Sequence, residues 1–388
     1  MKKVPRIVVF RNFFTQSIRI QDHKSNWWLA DIGDYLKVIA NGCVMLQPII
    51  ILFLTLPFGY SQQLFLASLY NLVKFTSPAF IFGIVFTVIR QNDQQEKLPL
   101  KSYFTNQWDN NFFPTFAWTL VYLIIMPNLQ QHGHFHNVAS FIWQFFSGNA
   151  APHLWYSVMM LQFLLIMPWI KAICNWVKHS YCRLAVAVIS SGIIYFTWLS
   201  FYDHFVLSGP EATHWYLLDR IFISFLIFGL YGGLSWNFHH EIQTFLFKYW
   251  WLIVGIYLLT YFWTRDLFLA TSKLTDLTND SYYLPSMAIY ALAVIFLIYL
   301  ICIVQKVFNM NHWLKSIHFL AFYAYRAFLA NVFWDRIFWQ YFNFKQLALQ
   351  NIYLAVLLLW ICTWCASYLS VYVIHQLWLK INGSVGPS

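Results

Sequence analysis

Apolar runs of about 20 residues, each bounded by a polar or charged cluster, recur along the whole chain, and that is the length an α-helix needs to cross a bilayer. Ten can be read: 36–57, 64–89, 111–128, 153–173, 183–202, 218–236, 247–264, 284–305, 314–335 and 348–377. The ninth carries Lys315, His318, Arg326 and Asp335, charges that need a partner or a cavity inside a membrane. Composition agrees with the pattern. Only 10% of the 388 residues are charged and 60% are hydrophobic, against about 25% charged in an ordinary soluble domain. A soluble protein could not hide so much apolar surface. Aromatic residues at 21% suit many membrane–water boundaries. The expected architecture is all-α, a polytopic membrane helix bundle of about ten transmembrane helices. Residues 1–33 are then an N-terminal tail, 34–378 the transmembrane domain and 379–388 a C-terminal tail.

Charge placement sets the expected orientation. The net charge of +10 is spread between the apolar runs rather than gathered in one patch, so it speaks of topology and not of a nucleic-acid partner. Lys2, Lys3, Arg6, Arg11, Arg19 and Lys24 precede the first run. Arg90, Lys97 and Lys101 follow the second, and Lys171, Lys178 and Arg183 follow the fourth. The connections 58–63, 129–152 and 203–217 hold no Lys or Arg. The excess of basic residues in cytoplasmic loops puts both termini inside a multi-pass protein of the cell membrane. Arg265, Lys273, Arg336 and Lys345 fall on the outer side. The short apolar stretch after Lys2, Lys3 and Arg6 is only Ile7–Phe10, shorter than a signal-peptide core.

Few residues could carry chemistry. Six cysteines form no disulfide or zinc pattern, and Cys362 with Cys365, a C-x-x-C, stands in an apolar run. His132, His134 and His136 alternate as H-G-H-F-H but have no Asp, Glu or Cys nearby to complete a metal shell, so a solvated loop is expected and no metal. Ionisable groups in the runs are Lys37, Lys74, His153, Asp219 with Arg220, His318, Arg326, and Asp335 with Arg336. Lys74, Asp219 and Arg336 are read as pairing or snorkelling near an interface. Arg326, near the middle of the ninth run, needs a carboxylate, carbonyls or an anionic ligand. Lys37, after Asp31 and Asp34, either meets an anionic acyl donor or snorkels. His153 follows Pro152 at a helix start, beside Trp155 and Tyr156, as a proton carrier or an interfacial hydrogen-bonder.

Several stretches resemble the acyltransferase 3 family of membrane proteins, and within it the members that acylate or export poly-N-acetylglucosamine. Asp34-Tyr35-Leu36-Lys37-Val38-Ile39-Ala40 looks like the family's opening Y-L-R-A-I-A, and Ser77-Pro78-Ala79-Phe80-Ile81-Phe82-Gly83 stands in the place of P-x-F-F-x-x-S-G. Tyr103 to Pro114 is similar to Y-x-x-x-R-x-x-x-x-x-x-P, His153-Leu154-Trp155-Tyr156 matches H-L-W-F/Y, and Phe228-Gly229 with Gly232 and Gly233 resembles the F-x-x-G segment. The resemblance implies transfer of an acyl group from a cytoplasmic acyl-coenzyme A to a hydroxyl of a surface glycan or its lipid-linked precursor. A histidine late in the first span acts as general base and an earlier arginine orients the donor. Here those positions are Gln47, followed by Pro48, and Lys37; the loop arginine is Gln107, and the ninth-span histidine has no counterpart around Ala330 and Asn331. The expected site is therefore His153, Lys37 and Asp34 for catalysis, with Trp155, Tyr156, Arg326 and Gln47 binding substrate. No cofactor is expected beyond acyl-coenzyme A as donor substrate. Expected partners are the lipid bilayer, the glycan and a glycosyltransferase. Two readings stay open: a transferase, or a degenerate relative serving polysaccharide export or scaffolding a synthase complex.

Overall fold

The computed structural model describes residues 30–94, 100–178, 180–207, 209–270, 274, 277 and 281–381. The basic residues expected in the N-terminal tail, Lys97, Lys273 and residues 382–388 lie outside these. The described residues form helices and no strand: α1 Ile32–Val44, α2 Leu46–Leu54, α3 Tyr60–Leu72, α4 Thr76–Gln94, α5 Leu100–Gln107, α6 Phe113–Ile125, α7 Val138–Ser147, α8 Leu154–Val177 and α9 Tyr181–Tyr202. There follow α10 Leu226–Asn237, α11 His239–Lys248, α12 Trp250–Leu269, α13 Pro285–Val307, α14 Asn311–Tyr341, α15 Phe344–Gln350 and α16 Ile352–Ile381.

Among the described residues seven helical stretches are long and apolar enough to cross a membrane: Ile32–Leu54, Tyr60–Asp93, Leu154–Val177, Tyr181–Leu207, Trp250–Leu269, Pro285–Val307 and Ile352–Ile381. They coincide with seven of the ten expected runs. The third run folds as the shorter α6, and the sixth as the apolar segment Phe222–Asn237. The ninth becomes α14, 31 residues long but richer in charge. Asp219 and Arg220, read from sequence as the start of the sixth run, instead occupy a 3₁₀ turn ahead of it.

The outward faces of these helices are as apolar as the inward ones. On α9, Val186, Ile189 and Ile193 are exposed while Ala187, Ser191, Tyr195 and Leu199 are buried; on α12, Leu252, Ile256, Leu259 and Trp263 are exposed. A soluble helix places charge on that outer face. Here the hydrocarbon of a bilayer is the solvent that fits.

Prolines mark where two of the long helices are interrupted. Pro48 has no N–H for the Val44 carbonyl, and the first span breaks at Met45 between α1 and α2. Pro78 likewise leaves the Lys74 carbonyl, and the second span is interrupted by a turn at 73–75 between α3 and α4. Pro168 lies inside α8, where the carbonyl it orphans is that of Leu164; the Tyr103 hydroxyl donates to it at 3.0 Å. Pro114 follows a π turn, Trp108–Phe112, in which the Phe113 N–H donates to the Trp108 carbonyl.

α4 forms the central pillar, packed between α1 and α10. Glycines let the backbones touch. A Cβ added to Gly33 would stand 2.7 Å from the Gly83 carbonyl oxygen, and one added to Gly232 would stand 2.5 Å from that of Phe82. At the same end of the bundle Arg90 of α4 pairs with Asp31, the N-cap of α1, at 2.9 Å. Asp93 accepts from Lys178 at 2.7 Å and from the Trp236 indole at 3.2 Å, joining α4 to α8 and α10.

Two substitutions test this account by thermal unfolding of the protein in detergent. Gly232→Val drives a side chain into the Phe82 backbone and is expected to destabilise by about 1–3 kcal/mol. Tyr103→Phe, which leaves the Leu164 carbonyl buried without its donor, is expected to cost a similar amount, about 1–3 kcal/mol. An unchanged melting temperature in either variant contradicts the corresponding contact.

Candidate functional site

Where the first two spans break, a cavity of about 280 Å³ opens. Gln47 and Pro48 contribute from α2, Lys74 from the turn between α3 and α4, and Thr76 and Ser77 from the start of α4. The beginning of α8 contributes His153, Trp155 and Tyr156; α14 contributes Phe328 and Asn331; Asp219, Ser281, Tyr282 and Tyr283 come from the connections. Four of the seven residues expected from sequence, His153, Gln47, Trp155 and Tyr156, thus meet in one place.

Gln47 is knotted into the wall. Its amide nitrogen donates to the Thr76 hydroxyl at 2.9 Å and to the Val73 carbonyl at 3.0 Å, with the Tyr282 hydroxyl at 3.2 Å. Thr76 and Tyr282 are themselves 3.1 Å apart. Lys74, 7% exposed, donates to the Tyr70 hydroxyl at 2.9 Å, and its ammonium lies 4.4 Å from the Tyr70 ring centroid and 4.6 Å from that of Tyr282. A cation on aromatic faces is a stable way to hold charge in an apolar setting. The Trp155 ring lies against Phe225 and Tyr282, while the buried Tyr156 hydroxyl and Asn331 Oδ1 have no hydrogen-bond partner.

His153 is 9% exposed, and its Nε2 lies 3.3 Å from the Leu329 carbonyl of α14. A carbonyl only accepts, so Nε2 carries the proton and the neutral ring presents a bare lone pair at Nδ1. Nδ1 is buried without a partner. The ring is gripped edge-on by Tyr122 at 5.1 Å and Phe328 at 5.2 Å. Tyr122 does more than pack. Its hydroxyl accepts from the Phe333 N–H at 3.0 Å and donates to the Leu329 carbonyl at 2.8 Å, so it is wedged into one rung of the α14 ladder, the rung whose carbonyl also receives His153.

Asp219 reaches the cavity from its 3₁₀ turn. Burial pushes its carboxyl up to about 6, the adjacent Arg220 opposing the shift. Arg220 donates from Nε to Asp219 at 3.0 Å and from Nη1 to Asn149 at 2.7 Å and to the Ser147 carbonyl. The Asp219 carbonyl accepts from the Tyr283 hydroxyl at 2.8 Å, and Gln162 holds the turn to α8 by donating to the Arg220 carbonyl at 2.7 Å. This matches the pairing read for Asp219 from sequence.

The remaining candidates lie elsewhere. Asp34 is buried, accepting from Lys37 at 2.9 Å and contacting His318 Nδ1 at 2.7 Å. Its oxygens are thus shared between two basic groups, and Lys37 is neutralised by a neighbour one turn away. Gln47 lies thirteen residues further along the span, roughly 20 Å at the rise of an α-helix. Neither Asp34 nor Lys37 lines the cavity. Arg326 donates to Asn110 at 3.1 Å and lies over Phe322, also away from the cavity. His132 stacks on Tyr216 with centroids 3.8 Å apart, and burial together with nearby Arg220 lowers its proton affinity. Among the described residues no group of three or more His, Cys, Asp or Glu could hold a metal ion, and the six cysteines are free thiols.

Sequence reasoning missed Tyr122, Thr76 and Tyr282 and gave Lys74 a structural part. Pro48 and Pro78, each marking a break at cavity depth, were the available signal. Tyr122→Phe keeps the ring and removes the wedge, so the Phe333 N–H competes with His153 for the Leu329 carbonyl. Nitrogen-15 spectra of labelled histidine are expected to show His153 changing from one tautomer to a mixture, in a folded protein; a single unchanged tautomer would remove Tyr122 from this role. No family model matches the sequence, no curated protein matches it, and no solved structure matches the fold.

Proposed function

We propose that the chain is a membrane acyltransferase that moves an acyl group from a cytoplasmic donor, acyl-coenzyme A, to a hydroxyl of a cell-surface polysaccharide or its lipid-linked precursor. The observation that carries this is the partnerless Nδ1 of His153 in the wall of a cavity within the apolar bundle. The neutral ring accepts the acceptor's hydroxyl proton at Nδ1. The alkoxide oxygen then forms its bond to the thioester carbonyl carbon, and the carbon–sulfur bond breaks to release the thiolate, which takes up a proton. Lys74 supplies positive charge, and the Tyr156 hydroxyl a free donor, near where the oxyanion develops. Trp155, Tyr282 and Tyr283 offer ring faces to a sugar.

The resemblance of His153-Leu154-Trp155-Tyr156 to the acyltransferase 3 family supports the reading, with His153 taking the base's part that Gln47 cannot. Further support comes from the end of the bundle where Asp31, Asp34, Lys37, Arg90, Asp93 and Lys178 gather, which in this reading faces the cytoplasm. Ten spans, counting α6, Phe222–Asn237 and α14 with the seven, then leave both termini inside. Lys37 meets the donor by exchanging its bond to Asp34, and a glycosyltransferase works alongside to supply the acceptor. In a deletion strain, wild-type protein is expected to restore O-acyl groups to the surface glycan. His153→Gln, present in the membrane at equal amount, is expected to slow transfer by roughly 10² to 10⁴. Full restoration by His153→Gln excludes the histidine mechanism.

A second reading, polysaccharide export or a scaffold for its synthase, is favoured by the broken first and second spans, since interrupted helices line substrate sites in transporters. It expects the deletion strain to retain polymer inside the cell with its substituents unchanged.

A further inference from the structure

Asp335 of α14 has no exposed surface, and neither of its carboxylate oxygens has a hydrogen-bond partner. None of the groups around it donates a hydrogen bond to it. Tyr122 on α6 is close enough to feel its charge, but gives its hydroxyl proton to Leu329. Arg336, the next residue, acts on it through its charge but comes within ion-pair distance at neither oxygen, and the Arg336 Nε is itself partnerless. α2 carries no charged residue, and on α15 the Lys345 ammonium lies over the Trp339 ring. One turn back on the same face of α14, Asn331 is 1% exposed, has an unpartnered Oδ1 and lines the cavity.

A bare carboxylate stripped of both water and donors is among the most unfavourable groups a membrane bundle can hold. The unpaired atoms of Asp335 and Asn331 are oxygens, the donor type of hard cations. We propose that Asp335, with Asn331 one turn away, is a buried site for a monovalent cation, a proton or a sodium ion, reached from the cavity past Asn331. For a proton, an oxygen lone pair of Asp335 forms the O–H bond and the acid then donates toward Asn331 Oδ1; release returns the electron pair to the carboxylate and the proton to cavity water. The site stands apart from the acyl-transfer reading, because its formation needs no acyl donor or glycan.

The test uses the full-length protein in lipid nanodiscs, labelled with carboxyl-¹³C aspartate and studied by infrared spectroscopy at neutral pH in sodium chloride and in choline chloride. If the cation is a proton, the wild type shows the carbonyl band of a protonated acid in both salts. That band is lost in Asp335→Asn, and its deuterium shift is slowed in Asn331→Leu. If it is sodium, the melting temperature rises in sodium chloride over choline chloride in the wild type and not in Asp335→Asn. An ionised Asp335 with no sodium-dependent shift in melting temperature overturns the site, as does a protonated band that persists unchanged in the variant. Should Asp335→Asn not fold, Asp335→Glu takes the acid out of the aspartate label and makes the same spectral comparison.

Discussion

Within hydrocarbon no water replaces a missing backbone donor, so each proline in a spanning helix commits another group to the carbonyl it abandons or opens a polar site there. The chain uses both outcomes. At Pro168 a tyrosine from another helix closes the gap, and α8 runs on as one continuous element. At Pro48 and Pro78 the helices instead break, and the two breaks, joined by the bonds of Gln47 to Val73 and Thr76, stand together in the cavity wall with Lys74. The polar centre therefore follows from two missing N–H groups more than from any cluster of charged residues.

The second organising feature is a cluster of ion pairs set apart from the cavity. Ion pairs at one end of the bundle tie α1, α4, α8 and α14 together, and they occupy Asp34, Lys37 and His318, three groups that a sequence reader would suspect of chemistry. His153, by contrast, is held by a backbone carbonyl and two aromatic edges, and that leaves one of its nitrogens unspent. A group without a partner is freer to react than one already paired.

Local patterns in the sequence were legible: the apolar runs, the helix start at His153 and the proximity of Trp155 and Tyr156 to it. Gln47 entered only through a resemblance to a family, yet it does stand in the cavity wall. What could not be read were contacts between distant segments. Nothing near Asp34 says that His318 will share its carboxylate, nothing near Gln47 announces Tyr282, and Tyr103 gives no sign that it serves a proline on another helix. The three expected spans that came out short or charged have local causes: a π turn before Pro114, a 3₁₀ start around Asp219, and the charges of α14. Which way Arg326 faces depends on how α14 packs, and that is a property of the whole bundle.

The grip on α4 has a mechanical consequence. Gly33 meets it at Gly83 and Gly232 meets it at Phe82, backbone against backbone, at consecutive residues on different sides of the helix. A rod clamped at one level from two directions can neither roll about its axis nor slide without collision. Its first turn, with Thr76 and Ser77, is therefore a fixed datum, and any widening of the cavity to admit or release a large molecule falls to the parts on its far walls, α14 and the connection that leads into α13.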